Sequence, residues 1–239
     1  SFLPMETIES YIEYSHRAIS GTAGLLITVL LIWAQRACKG RRDAMFMVTA
    51  SFIFTVIQAL LGAGAVVFGQ STPIMALHFG ISLVAFASVF LFTIILHRWD
   101  SKPAPISFGK GYRLFVLASA VYTYVVVYTG GYVVHSGASG GCGRWFPLCD
   151  GKLFPGFAGA SGIQFMHRLS GFLLMVLVVA LMIVTIRNYS GRRDMRLAGY
   201  WAGALVVLQV LSGGLMILAG LNLFTRLLHA TVILFLFGV

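Results

Sequence analysis

The sequence predicts an all-α polytopic membrane protein. Its plan is two pseudo-symmetric four-helix bundles, with seven spans present and the first helix of the first bundle missing from this chain. Three observations predict this: a composition rich in apolar and poor in charged residues, loops that sort by charge, and an internal repeat at one constant offset. Of 239 residues, 59% are hydrophobic and 10% charged, and the mean hydropathy is +0.90. A soluble domain carries about 25% charge and about 45–50% apolar residues. An ordinary cytosolic enzyme, a disordered chain, a coiled coil and a nucleic-acid binder are thereby excluded. The net charge of +10, from 17 basic against 7 acidic residues, reads as topology, because cytoplasmic loops collect Lys and Arg.

A helix needs about 20 mainly apolar residues to cross the hydrocarbon core. Seven stretches qualify: 13–35, 46–68, 74–96, 113–134, 163–186, 197–218 and 224–239. A polar, acid-containing segment precedes the first, and no small-residue cleavage site follows it, so it does not read as a signal peptide. Between the spans, segment 36–43 holds Arg36, Lys39, Arg41 and Arg42. Segment 97–113 holds Arg98, Lys102, Lys110 and Arg113, and segment 187–196 holds Arg187, Arg192, Arg193 and Arg196. These 12 of the 17 basic residues fall on one side, which the positive-inside rule makes cytoplasmic. The expected location is the cell membrane, with Ser1 and loop 135–162 extracytoplasmic and the C-terminus, Val239, cytoplasmic.

The repeat has an offset of 151. His16-Arg17 recurs as His167-Arg168, and the tetrapeptide GRRD at 40–43 recurs at 191–194. Gln58 and Gly62 recur as Gln209 and Gly213, Leu77-His78 as Leu228-His229, and Pro4 as Pro155. Span 113–134 and the loop cysteines have mates that would fall before Ser1, so the chain is expected to be a piece of an eight-span protein. The expected division is an N-terminal half-bundle at 1–98, a cytoplasmic linker at 99–111 and a C-terminal half-bundle at 112–239.

Four of the six histidines belong to the repeat: His16 and His78 in the first half, His167 and His229 in the second. Ionisable residues at membrane depth are rare and by default functional, and bundle cores bind cofactors through residues on facing helices. No acid or thiolate cluster accompanies the pairs, which argues against zinc or a di-iron carboxylate site. Two neutral imidazoles per bundle suit a haem iron. His97 and His135 lack symmetry mates and read as interfacial. Arg17, Arg168 and Arg226 stand beside the histidines, where they either anchor helix ends at the headgroups or pair with haem propionates. Glu13 is the one acid within an expected span, three residues before His16 and on its helix face. Its mate is Gln164, so one half owns a candidate proton-transfer group and the other does not; a structural pairing of Glu13 with Arg17 is the alternative. Cys142 and Cys149 lie in the outer loop, where oxidation permits a disulfide, structural or redox-active. Cys38 lies in a cytoplasmic loop and is expected to stay reduced.

These motifs together resemble haem A synthase, in its bacterial form, over essentially the whole chain: E-x-x-H within EYSHR, QALLG at 58–62, the C-x6-C loop with FPLC, MHR at 166–168 and LLH at 227–229. The resemblance implies an oxidoreductase that converts the C8 methyl of haem O to a formyl group. It implies that His16 and His78 flank the substrate haem O, that Glu13 assists the oxidation, and that His167 and His229 ligate a permanent haem b. It also implies that Cys142 and Cys149 form the outer-loop disulfide of the second half. Partners would be haem O, membrane lipid, an electron acceptor, the farnesyltransferase that makes haem O, and a second copy of the chain. The rival readings are a di-haem b-type cytochrome for electron transfer and a haem carrier.

Overall fold

The computed structural model describes residues 7–69, 71–98 and 106–239. Ser1, Pro4, Glu6, Asp100 and Lys102, with most of the expected linker, lie outside that set. Among the described residues there are seven α-helices and no strand: α1 Ile8–Ala37, α2 Arg42–Phe68, α3 Thr72–His97, α4 Lys110–His135, α5 Gly159–Asn188, α6 Arg193–Leu218 and α7 Leu223–Gly238. The chain is an all-α, multi-pass membrane protein. Six of the helices are long and apolar enough to cross a bilayer. The seventh expected span, α7, is a 16-residue apolar helix, about 24 Å long at 1.5 Å per residue.

Local chemistry sets the ends. Thr7 caps α1 by accepting the Ser10 N–H at 3.3 Å, and Asn222 caps α7 by accepting the Thr225 N–H at 3.0 Å. The GRRD repeat folds the same way twice. Arg41 reaches both carboxylate oxygens of Asp43, at 3.0 and 2.8 Å, and Arg192 both oxygens of Asp194, at 3.1 and 2.9 Å. Each acid sits in the first turn of its helix, where the dipole favours it. The hydrogen bond raises the pKa of each of these two guanidinium groups above its ordinary value.

The helices belong to two compact units, residues 7–60 with 84–98, and residues 61–83 with 106–239. In the first, Ala34, Cys38, Ala44, Val48 and Phe92 are buried against Leu30, Leu31 and Ile95. In the second, α4 packs on α5, α5 on α6, α6 on α7 and α7 back on α4, which closes a four-helix ring. Val126, Val127, Leu174, Val178, Val206, Ile233 and Leu236 fill its centre, and Leu83 joins them. Close approach depends on small residues: a Cβ on Gly131 would lie 3.1 Å from the Ala76 Cα. Toward the far end of α5, Tyr112 and Thr185 share a hydrogen bond of 2.9 Å, and Tyr112 meets Tyr189 edge-on.

The outward faces are apolar at helical spacing. Leu114, Leu117 and Val121 are exposed on α4, and Leu208, Leu211 and Leu215 on α6. Water does not tolerate apolar stripes of this extent, whereas lipid does.

Candidate functional site

The repeat reappears as depth along the helices. His16 and His167 each stand eight residues beyond the first residue of their helices, and His78 and His229 each stand six beyond theirs. At 1.5 Å per residue these are about 12 and about 9 Å from the helix starts. The first six helices begin two to five residues earlier than their hydropathy indicates and the last one residue earlier, so the histidines lie deeper than the sequence suggests.

His167 on α5 and His229 on α7 belong to one four-helix ring. The Nδ1 of His167 is 2.9 Å from the Thr129 hydroxyl of α4. The Nδ1 of His229 is 2.9 Å from the Ser212 hydroxyl of α6, and its Nε2 is 3.1 Å from the Gln209 Nε2. Each ring also lies against a glycine. A Cβ on Gly130 would come within 2.9 Å of the His167 Cε1, and one on Gly213 within 3.1 Å of the His229 Cε1. The first-half mate repeats this contact, since a Cβ on Gly62 would stand 3.1 Å from the His78 Cε1. Among the described residues no group of three or more His, Cys, Asp or Glu is placed to hold a metal ion.

The loop between α4 and α5 is tied down residue by residue. Cys142 and Cys149 are joined in a disulfide. The buried Gln164 of α5 accepts the Cys142 N–H at 2.5 Å and donates to the Ser139 carbonyl at 2.7 Å. Arg144 donates to the Leu218 carbonyl at the end of α6, at 2.7 Å. Arg168 donates through Nη1 to the carbonyls of Trp145 and Leu148, at 2.8 and 2.5 Å, and lies over the Phe146 ring. The Arg168 Nη2 is buried without a protein partner. A Cβ on Gly214 would sit 2.7 Å from the Phe146 ring, and one on Gly141 would run into the Ala160 carbonyl.

In the first half, Glu13 and Arg17 form an ion pair of 2.5 Å on an exposed stretch of α1, and His16 is exposed on the same helix. His16 belongs to the unit of residues 7–60 and His78 to the unit that begins at residue 61. Arg226 is exposed near the start of α7. His97 and His135 close α3 and α4, and the His135 carbonyl accepts the Thr72 hydroxyl at 3.0 Å.

Residues 3–239 match the model of the COX15-CtaA family, described as cytochrome oxidase assembly protein. The chain belongs to this family. Among its relatives, the heme A synthase of Halalkalibacterium halodurans is 43% identical over 232 residues, which is 96% of this chain and 77% of that one. The heme A synthase of Alkalihalophilus pseudofirmus is 40% identical over 233 residues, 97% of this chain and 78% of its own. That of Bacillus licheniformis is 40% identical over 247 residues, covering all of this chain and 80% of its own.

For this member of the COX15-CtaA family, sequence reasoning missed Thr129, Gly130 and Ser212 beside the imidazoles, and the work of Gln164 and Arg144 on the loop. One signal was readable. The mate of Ser212 is Leu61, a break between the matched pairs Gln58/Gln209 and Gly62/Gly213. Thr129 and Gly130 have no mates within the chain, so the repeat could not point to them.

Proposed function

We propose that this chain oxidises the C8 methyl of haem O to a formyl group, giving haem A. Residues 1–98 serve as the substrate half, 99–111 as a cytoplasmic linker and 112–239 as the half that holds haem b. The outer loop 135–162 faces the extracytoplasmic side and the C-terminus the cytoplasm. The observation that carries the reading is the pair His167 and His229, half-buried in one four-helix ring, each with a glycine at its ring edge and no carboxylate beside it. His167 and His229 would hold the iron of haem b there, and the heme A synthase relatives at about 40% identity support the reaction.

In the substrate half, His16 and His78 are the ligands for the iron of haem O. Changing a methyl to a formyl group adds one oxygen atom, with water as its balanced source, and releases four electrons and four protons; the electrons go to the external acceptor, and a bound haem iron would supply the redox chemistry. Glu13 takes protons and, held by Arg17 one turn from His16, keeps its place on the helix. Arg17, Arg168 and Arg226 contact propionates; the buried Nη2 of Arg168 is the donor still available on that side chain. The disulfide of Cys142 and Cys149 fastens the loop above the second pair. An electron acceptor, the enzyme that farnesylates haem and a second copy of the chain are its candidate partners in the bilayer.

The test is product analysis. The protein in its membrane, given haem O and an oxidant, should yield a haem whose mass and reduced pyridine spectrum carry the formyl group. A bis-histidine haem that cycles between oxidation states while haem O is recovered unchanged would leave an electron-transfer cytochrome.

A further inference from the structure

The two second-half imidazoles face hydroxyl groups whose single protons are already committed. Thr129 donates its hydroxyl proton to the Val126 carbonyl at 2.7 Å, and Ser212 donates its own to the Gln209 carbonyl at 2.9 Å. A carbonyl can only accept, so toward the histidine each hydroxyl is left as an acceptor. The Nδ1 of His167 and the Nδ1 of His229, each 2.9 Å away, must then carry the proton. In a neutral imidazole this leaves the lone pair on Nε2. The Gln209 Nε2 donates to that lone pair of His229 from 3.1 Å, which agrees with this tautomer; the amide must turn away for the same lone pair to reach an iron.

We propose that Thr129 and Ser212 are positioning residues that hold His167 and His229 as Nδ1–H tautomers, with both Nε2 lone pairs presented to one haem iron. This rests on the reading of that pair as iron ligands. Two helices that do not carry the ligands, α4 and α6, thus set the chemistry of those that do. The arrangement is specific to this half for His229, because the position corresponding to Ser212 is Leu61, which has no hydroxyl. A hydrogen bond from Nδ1–H to oxygen also raises the basicity of the ligating nitrogen, which favours the ferric state.

The test uses protein purified from membranes with its haem. Thr129→Val and Ser212→Ala remove the acceptors, while Thr129→Ser and Ser212→Thr keep them. Haem b affinity should fall roughly ten- to a hundredfold in the first pair. The midpoint potential should rise, and carbon monoxide should gain access to the ferrous haem; the second pair should behave as wild type in all three. Unchanged affinity, potential and carbon monoxide access in Ser212→Ala would overturn the proposal, as would the same losses in the hydroxyl-keeping variants. If Thr129→Val does not accumulate, Ser212→Ala and Thr129→Ser decide it. His167→Ala and His229→Ala report on the ligand reading itself: if they retain a bis-histidine spectrum from the second half, that reading fails first.

Discussion

Replacing Gln164 with Met should loosen the loop between α4 and α5 without touching either histidine. Gln164 is 3% exposed and Cys142 fully buried, so the Cys142 N–H has no route to solvent once the Gln164 Oε1 is gone. A buried donor left unpaired costs about 1–3 kcal/mol, and the lost bond to the Ser139 carbonyl adds about 1, for a total of about 2–4 kcal/mol. Met fills nearly the same volume, so the packing cost is small. A chain of this size loses about 2–4 °C of melting temperature per kcal/mol, which places the drop at roughly 5–15 °C. The assay is thermal unfolding of the purified protein, with limited proteolysis of residues 136–158 in parallel. Gln164→Glu provides the sign. The carboxylate still accepts from Cys142 but has no proton for the Ser139 carbonyl, so this variant should gain stability as pH falls and the acid becomes a donor. A Gln164→Met protein melting within a degree of wild type, with an equally resistant loop, would refute the clamp.

Other outcomes follow from the same geometry. Gly130→Ala and Gly213→Ala place a methyl group 2.9 and 3.1 Å from an imidazole edge, so each should reduce haem b content, whereas Gly171→Ala, which meets nothing within 4 Å, should not; absorbance per mole of protein checks this. Glu13→Gln should keep haem b and fold, yet slow haem A formation on the order of 100-fold or more if the carboxylate moves protons; a wild-type rate would leave Glu13 as the structural partner of Arg17. Arg168→Met frees the Trp145 and Leu148 carbonyls and should speed proteolysis of the loop even in protein stripped of haem; equal cleavage rates would remove Arg168 from the clamp.

The helices were legible because lipid imposes one rule, about 20 apolar residues, on every span. The bends were legible because GRRD recurs, and Arg41 with Asp43 and Arg192 with Asp194 show the chemistry the motif encodes. Boundaries were less so: α5 starts at Gly159, where hydropathy alone suggests 163, because cap and loop geometry set the first turn. The site divides in the same way. His78 with Gly62 and His229 with Gly213 could be named from spacing, since both members of each pair recur at the same offset. Thr129 could not, because its partner His167 is 38 residues away and only the packing of α4 on α5 joins them. The repeat makes Gln164 the neutral counterpart of Glu13. Its two bonds to the loop show a structural task that composition does not reveal.

Cys38 is 3% exposed, enclosed by Ala34, Ala44, Val48 and Phe92 at the turn between α1 and α2. Its thiol is free but covered. A maleimide added to either face of the membrane must therefore wait for this corner to breathe, and the rate of labelling becomes a clock for local opening instead of a marker of side. Mild denaturant should quicken that clock well before the disulfide loop lets go. A cysteine introduced at exposed Lys39, one residue along, would react at once from the face on which the turn lies, so the two thiols together separate motion from orientation.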